Sequence, residues 1–319
     1  MQLVIFLVIL LLGVLLVSSA YVFSAACLRR KELPWLVEEE ITKTPYGKYY
    51  QSMADADRWF RDKGAEDVYI KSTDGLLLHG LWVESPNAKG TVILAHGYRS
   101  TMLLDFGVAS AYYFELGFNV LVPDQRSHGK SEGRYITFGV KESDDFLYWI
   151  EFHNHKYPDL PVILIGMSMG ASTVLYLADK MLPKNVKGII GDCGFTSPKD
   201  IISIVFRKVA HFPPDLIIFF TNLWTRLFAG FALGEMDTRK VLANSRIPVL
   251  LIHGRADNFV PCWMSEAAFD ICASFKEILL IDGAKHGVSF LKAPEQYTEA
   301  VVRFINYLLR DRGERDETY

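Results

Sequence analysis

Hydrophobic positions fall into one long run at the amino terminus and a series of short runs after it. The long run, LVIFLVILLLGVLLVSSAYVF, lies within residues 3–28, which carry no charged side chain. The short runs are rich in Val, Ile and Leu, and helical patterns separate most of them. They are DVYIKS, LLLHGLWVE, GTVILAHG, FNVLVPD, PVILIGMS, KGIIGD, IPVLLIHG and KEILLID. Strands joined by crossover helices predict an α/β fold with a mainly parallel sheet of eight strands flanked by helices.

Polar residues at the strand ends are the candidates for chemistry. The first two strands read as a hairpin turned at Thr73-Asp74-Gly75. Because open parallel sheets bind ligands beyond the carboxyl ends of their strands, the polar side chains at those ends are the leading candidates for a functional site. They are His96, Asp124, Ser168, Asp192, Asp257 and His286.

The amino-terminal run is long enough to cross a membrane. A helix over residues 3–28 would extend roughly 39 Å, against a hydrocarbon core of about 30 Å. A cleaved signal peptide is the alternative, but no Lys or Arg precedes the run, and the lipoprotein-like Ser24–Cys27 lacks the same basic start. Arg29, Arg30 and Lys31 follow it, and positive charge favours the cytoplasmic side. We therefore expect a single-pass anchor, residues 1–28, in the cell membrane, with the rest of the chain in the cytoplasm.

Three segments of different composition follow the anchor. A charged and aromatic lead-in precedes one large α/β domain with a helical insertion, and a polar tail ends the chain. The predicted bounds are 29–64, 65–312 with the insertion at about 197–246, and 313–319. Within the lead-in, Tyr49–Lys63 is amphipathic and Gly64 is a helix stop.

Composition excludes several classes of protein. Half the residues are apolar, which excludes a disordered chain. A net charge of −3 gives no general attraction to nucleic acid. His153-Asn-His155 has no matching ligands, so we expect no metal and no cofactor. The four cysteines form no CxxC pair, and we interpret them as buried or unreactive thiols. They are Cys27, Cys193, Cys262 and Cys272.

The segment Gly166-Met-Ser168-Met-Gly170 is a G-x-S-x-G motif between a predicted strand and a predicted helix. A tight turn of this kind crowds the residues two before and two after its tip, and glycine relieves the crowding. The turn would raise the Ser168 hydroxyl above the sheet at a helix N-terminus, where negative charge is favoured. Ser168 is therefore the predicted nucleophile.

A serine nucleophile needs a base and an orienting acid. His286 follows the last strand in a DGAKHG loop, whereas His96 and His253 sit at strand ends before glycine and read as scaffold. Asp257 follows IPVLLIHG and is the predicted acid, with Asp192 as the alternative. The order Ser168, Asp257, His286 is the one that this strand–turn–helix architecture uses.

With these loops in order, residues 65–310 resemble the α/β-hydrolase superfamily. The finer resemblance is to membrane-anchored Bem46-like serine hydrolases, near the serine aminopeptidase and prolyl-oligopeptidase-like branches. The segment Asp124–Gly133 is similar to that family's D-x-R-G-x-G-x-S loop, with Ser127 where glycine is usual; we interpret it as structural support. The resemblance implies an oxyanion hole formed by the backbone N–H groups of Tyr98 and Met169.

The resemblance also implies that the insertion forms a cap over Ser168. Its aromatic side chains are Phe212, Phe219, Phe220, Trp224, Phe228 and Phe231. They fit ordinary helix packing, an acyl-chain pocket, or a surface that rests on the bilayer. The candidate substrate-pocket residues are Phe212, Phe220, Trp224 and Phe228.

The expected reaction is hydrolysis of a carboxylic ester or thioester through an acyl-enzyme on Ser168, with a hydrophobic small molecule or acyl group as substrate. A serine peptidase is the alternative, although only Glu235 and Asp237 in the cap could bind a substrate amine. A non-catalytic ligand-binding protein is a further alternative, because a fold does not determine a function.

Overall fold

A computed structural model describes residues 1–30, 50–210 and 213–310. Most of the predicted lead-in, the predicted polar tail and Phe212 lie outside the described residues. The strands are β1 (Glu66–Lys71), β2 (Leu77–Val83), β3 (Gly90–Ala95), β4 (Phe118–Pro123), β5 (Val162–Met167), β6 (Val186–Asp192), β7 (Val249–Gly254) and β8 (Lys276–Ile281).

Helices cover both faces of the sheet and form the insertion between β6 and β7. They are α1 (Gln2–Cys27), α2 (Tyr50–Asp62), α3 (Met102–Glu115), α4 (Val140–Lys156), α5 (Met169–Leu175), α6 (Pro198–Ala210), α7 (Asp215–Trp224), a π-helical turn (Thr225–Ala229), α8 (Thr238–Leu242), α9 (Trp263–Ile271), α10 (Ser289–Lys292) and α11 (Pro294–Leu309). The predicted insertion at about 197–246 corresponds to α6, α7, the π-helical turn and α8.

The sheet has eight strands in the order β1-β2-β4-β3-β5-β6-β7-β8. β1 and β2 form the predicted hairpin, and β2 pairs antiparallel with β4. The strands from β4 to β8 are parallel to one another. The mainly parallel sheet predicted from the hydrophobic runs is confirmed, and its carboxyl ends lie along one edge.

The central strands are buried on both faces, so successive side chains enter different cores. In β5, Val162 and Leu164 join a core that includes side chains of α4, α5 and α8. Ile163 and Ile165 join the opposite core, with side chains of α3 and α11. The continuous apolar runs of the sequence follow from this two-sided burial.

A third apolar cluster, the cap core, lies between the cap and the carboxyl ends of the strands. It joins side chains of α1, of α6 and α7, and of the loops that follow the strands. Its buried members include Phe23, Cys27, Phe138, Met169, Phe195, Ile201, Ile218 and Val260. The first helix therefore takes part in the packing of the domain.

Helix α1 is apolar along its whole length. An 18-residue window of it has a mean hydropathy of 3.1, and 26 residues in a helix are long enough to cross a membrane. Its amino-terminal two thirds are exposed, whereas Ser19, Phe23 and Cys27, one turn apart, are buried against the domain. The last three turns of the helix therefore make the extensive contact with the domain.

Arg126 ties the loop after β4 to two other elements. Its guanidinium donates two hydrogen bonds to Asp145 of α4, at 2.7 and 2.6 Å, and another to Asp74 of the β1–β2 turn at 2.8 Å. The neighbouring Ser127 has a φ of +64°, a left-handed conformation that glycine adopts without strain. This conformation explains why glycine is usual at that position, and the contacts agree with a supporting role for the loop.

Replacing Arg126 tests that role. We expect Arg126→Met to lower the free energy of unfolding by about 3–5 kcal/mol, because it leaves the buried Asp145 carboxylate without its partner. Lys130→Met is the matched control in the same loop: the Lys130–Asp67 pair is half-exposed, and its loss should cost within about 1 kcal/mol. Denaturant unfolding of the full chain in detergent micelles measures both, and equal losses would contradict the assignment.

Candidate active site

Ser168 occupies a sharp turn between β5 and α5. Its φ of 55° and ψ of −116° lie outside the regions that non-glycine residues normally adopt. A Cβ on Gly166 would collide with the carbonyl of Gly170, and one on Gly170 with the carbonyl of Ala95. The two glycines of the motif are therefore required by the close approach of three backbone segments. The turn leaves Ser168 only 8% exposed.

The structure brings the three predicted catalytic side chains into one chain of hydrogen bonds. Ser168 Oγ lies 2.9 Å from His286 Nε2, and His286 Nδ1 lies 2.6 Å from Asp257 Oδ2. In this arrangement His286 carries its proton on Nδ1, and this N–H donates a hydrogen bond to the carboxylate. The unprotonated Nε2 is then free to accept a hydrogen bond from the serine hydroxyl. The loops after β5, β7 and β8 supply these residues, and the three strands lie in the same half of the sheet, with β6 between β5 and β7.

Asp257 is held as a carboxylate. Burial works against its charge, but hydrogen bonds from His253 and His286 outweigh it and hold the pKa of Asp257 well below its ordinary value. Its second oxygen accepts from the backbone N–H groups of Phe259 and Val260 at 2.8 and 2.9 Å. His253, the rival base, lies beneath this loop, 3.3 Å from the carboxylate. Its ring is fully buried, as expected of scaffold.

The side chains of the alternative acid and of the other rival base have hydrogen-bond partners other than Ser168 and His286. The Asp192 carboxylate hydrogen-bonds Tyr297 and Ser289, the latter at 3.4 Å, and burial raises the pKa of Asp192 to about 6. His96 is buried, and its Nε2 accepts the backbone N–H of Gln125 at 3.0 Å. Asp257 is therefore the carboxylate that contacts His286.

The loop after β3 passes beside Ser168. An ideal Cβ at Gly97 would lie 3.3 Å from the Ser168 Cβ. Asp105 of α3 fixes the loop by accepting the backbone N–H of Gly97 at 2.6 Å and the Ser100 hydroxyl at 2.6 Å. Burial raises the pKa of Asp105. Asp105 was not among the residues predicted from the sequence, although an acidic side chain in the first turn of a helix after a strand-end loop is a usable signal.

His128 supports the same loop. Burial lowers the pKa of His128 to about 3, so the ring is neutral at physiological pH. Its Nδ1 donates to the carbonyl of Arg126 at 3.0 Å, and its Nε2 accepts the backbone N–H of Arg99 at 3.0 Å. A neutral ring is required here because only an unprotonated nitrogen can accept this bond.

The last turn of α1 binds the loop from the other side. The Tyr98 hydroxyl donates to the carbonyl of Ala26 at 2.8 Å. The Arg99 guanidinium donates to the carbonyls of Ala25 and Leu28, at 2.7 and 3.1 Å. The loop that contains the predicted oxyanion donor Tyr98 is therefore attached to the carboxyl end of the apolar helix. No sequence pattern indicated this contact, since the partners are more than 70 residues apart.

Two of the predicted pocket residues in the cap, Trp224 and Phe228, contact α1. Trp224 Nε1 donates to Ser19 Oγ at 2.9 Å. The Phe228 ring lies 5.7 Å from that of Trp224 and 6.1 Å from that of Phe23, measured between centroids. Phe220 is half-buried on the same helix. The assignment of these side chains to a substrate pocket stays a prediction.

The thiol of Cys193 lies beside Asp257 and His286, two of the predicted catalytic residues. Ligand atoms of Cys193, Asp257 and His286 lie within 4.8 Å of one another. Burial raises the pKa of Cys193 well above its ordinary value, so the sulfur stays protonated and is a poor metal ligand. The His286 nitrogens already hydrogen-bond Ser168 and Asp257. This donor set does not suit a metal ion.

The depressed pKa of Asp257 makes its contribution to stability depend on pH. A carboxylate whose pKa is lower in the folded state stabilises that state above its unfolded pKa of about 3.9, and the contribution is lost as pH falls further. We expect Asp257→Asn to lower the free energy of unfolding by about 1–3 kcal/mol at pH 7. The difference from the unsubstituted protein should shrink below about pH 4.

Denaturant unfolding at pH 7, 5, 4 and 3 measures this difference. Asp282→Asn, at a carboxylate with 90% of its side chain exposed, is the matched control for loss of an acidic group. A difference that stays constant or grows toward pH 3 would contradict the assignment.

Comparisons with known proteins identify the fold. Residues 90–240 match the α/β-hydrolase fold family. The chain is 26% identical over 238 residues to YqkD of Bacillus subtilis, covering 74% of this chain and 78% of that protein. It is 26% identical over 218 residues to Bem46 of Schizosaccharomyces pombe, covering 68% and 64%.

The fold is also that of a solved esterase. The Pyrococcus furiosus esterase Pf2001 superposes with a TM-score of 0.64 at 23% identity, over 79% of this chain and 94% of that one. A relative in Saccharomyces cerevisiae, 22% identical over 66% of this chain and 68% of its own length, is named a membrane protein. The chain is therefore an α/β-hydrolase-fold protein similar to Bem46 and YqkD, with a long apolar helix at its amino terminus.

Proposed function

We propose that the protein is a serine hydrolase that cleaves carboxylic esters or thioesters through an acyl-enzyme on Ser168. One observation carries the proposal: the unbroken hydrogen-bond chain from Asp257 through His286 to Ser168, with distances of 2.6 and 2.9 Å. Bonds of this length are within the range for proton transfer between a nucleophile and its base. The strained turn at Ser168 presents the hydroxyl at the carboxyl edge of the sheet.

Acylation follows from the protonation states of the three residues. Ser168 Oγ attacks the substrate carbonyl while His286 Nε2 takes its proton. The Asp257 carboxylate stabilises the imidazolium that forms and keeps Nδ1 protonated. The tetrahedral intermediate then collapses as His286 returns the proton to the leaving alcohol or thiol, which leaves the acyl group on Ser168.

The negative oxygen of that intermediate needs hydrogen-bond donors. The backbone N–H groups of Tyr98 and Met169 are the proposed donors, because one lies in the loop beside Ser168 and the other directly follows it. Asp105, His128 and the last turn of α1 hold the first of these in place. Loss of one such donor typically costs about 3–4 kcal/mol in the transition state. After acylation, His286 activates a water molecule, which hydrolyses the acyl-enzyme.

The surroundings of the site favour a hydrophobic substrate. The Phe259 ring lies 5.0 Å from the His286 ring and is 42% exposed. Phe290 and Leu291, which follow the histidine loop on α10, are also exposed. Apolar side chains beside a reactive centre suit an acyl chain or an apolar leaving group. The esterase fold neighbour supports ester chemistry by analogy.

We further propose that α1 anchors the enzyme in a membrane, with the catalytic domain on the cytoplasmic side. Its length and hydropathy support the anchor, the membrane protein among the relatives agrees with it, and the cluster Arg29-Arg30-Lys31 supports the orientation. The anchor would hold the site near esters dissolved in the bilayer.

Ser168→Ala tests the nucleophile. We expect kcat/KM on p-nitrophenyl butyrate to fall by at least about a thousandfold, because the residual machinery cannot form the acyl-enzyme. Ser203→Ala is the matched control: its hydroxyl bonds the carbonyl of Lys199 on α6, and its loss should leave the rate unchanged. A fluorophosphonate probe should label the native protein and Ser203→Ala but not Ser168→Ala. Full activity in Ser168→Ala would refute the mechanism.

A series of p-nitrophenyl esters from acetyl to palmitoyl tests the substrate class. We expect the Ser168-dependent kcat/KM to rise with chain length by up to about fourfold per CH₂ group buried, since each is worth about 0.8 kcal/mol. A rate highest on the acetyl ester would reject the hydrophobic acyl group. Turnover of peptide amides without ester turnover would favour a peptidase.

Protease accessibility tests the orientation. In spheroplasts of a bacterial expression host, the domain should resist external protease, whereas in inverted vesicles it should be digested. Replacing Arg29-Arg30-Lys31 with glutamates should weaken this preference, because positive residues beside the span determine it. Digestion in intact spheroplasts but not in inverted vesicles would reverse the proposed orientation, and release by alkaline carbonate would reject the anchor.

A further inference from the structure

The outward face of α7 and the π-helical turn is apolar. Leu216, Leu223 and Leu227 are 55%, 46% and 71% exposed, and half-buried Phe220 lies between the first two. Their spacing of three or four residues places all four on one side of the helix; we name them the cap stripe. A surface helix normally turns charged and polar side chains to water at these positions. The cap stripe therefore needs an apolar partner.

Helix α7 is attached to α1 by specific contacts. The Trp224 indole donates to Ser19 Oγ at 2.9 Å, and Thr221 Oγ1 lies 3.5 Å from the carbonyl of Ser19. Ser19 is fully buried at this contact. The exposed apolar surface of the cap is thus continuous with that of α1.

The depth of this contact in a bilayer follows from helix geometry. About 20 helical residues cross a hydrocarbon core, so a span that begins at Leu3 ends near Val22. Ser19 then lies within one turn of the membrane–water boundary, and Trp224 lies level with it. Indole and phenol rings favour this boundary, and Tyr21 of α1 is 74% exposed at the same level.

The neighbouring face of α7 carries the polar side chains of this helix. Asp215, Asn222 and Arg226, at helical spacing, line a surface cleft together with Lys199 and Glu235, and Phe219 lies among them. The helix thus presents the apolar cap stripe beside a face that carries its charged side chains, as helices that lie in a membrane interface do. A second protein chain as partner would not account for the coincidence of the stripe with the end of the span.

We propose that the cap stripe is embedded in the leaflet in which α1 ends, with the lipid bilayer itself as its partner. This inference rests on the proposed anchoring by α1 and does not depend on the hydrolase activity. The cap then lies in the membrane interface, and an ester dissolved in the leaflet meets the cap without passing through bulk water.

The test measures the depth of a fluorophore on the full chain in phosphatidylcholine–phosphatidylglycerol liposomes. An environment-sensitive NBD label is placed on Leu227→Cys in a Cys262→Ser background, since the other native cysteines are buried. Met181→Cys is the matched control: this side chain is 90% exposed and apolar, but lies just before the amino end of β6, away from the cap. Leu10→Cys reports on α1.

Lipids with a doxyl group at carbon 5 should quench the label at 227 at least about threefold more than the label at 181. The label at 10 should be quenched most by lipids with the group deeper in the chain. Equal, weak quenching at 227 and 181 with strong quenching at 10 would overturn the inference and leave the anchor intact. Weak quenching at all three positions would overturn the anchor as well. Neither outcome bears on Ser168 chemistry.

Discussion

The close packing of backbone between the β5–α5 turn and the end of β3 is the constraint on which the site depends. Gly170 lies so near the carbonyl of Ala95 that no side chain fits between them. This contact forces Ser168 into its strained conformation and brings the loop at Gly97 beside it. The proposed nucleophile and the proposed oxyanion donors are therefore positioned by main-chain geometry, which the two-sided burial of β3 and β5 keeps rigid.

Buried polar groups around this point hold the site in one arrangement. Asp257 is ionised because donors surround it, whereas burial raises the pKa of Asp105 and lowers that of His128. Each of these groups accepts a hydrogen bond from a backbone N–H group in a loop of the candidate site. Exclusion of water disfavours charge at all three positions; hydrogen-bond donors overcome this effect at Asp257, whereas His128 stays a neutral acceptor.

The contacts of α1 connect the proposed membrane anchor with the candidate active site. Its last turns pack in the cap core, bind the side chains of Tyr98 and Arg99 and accept the hydrogen bond of Trp224. A flexible tether would leave the domain free to rotate over the membrane surface. These hydrogen bonds instead give the domain a fixed orientation relative to α1. The cap stripe is continuous with the exposed apolar surface of that helix.

Local patterns, namely strand periodicity, helix hydropathy and the glycine spacing of the turn, predict the fold class, the apolar helix and the candidates Ser168, Asp257 and His286, with Asp192 as the alternative acid. The folded structure is needed to show that Asp257 rather than Asp192 contacts His286, because both acids follow buried strands and only the path of the loop distinguishes them. It also revealed the roles of Asp105 and His128 and the attachment of α1 to Tyr98 and Trp224. Hydrogen bonds between residues as far apart as Ser19 and Trp224 leave no periodic trace in a sequence, because each depends on a single donor and acceptor that folding brings together.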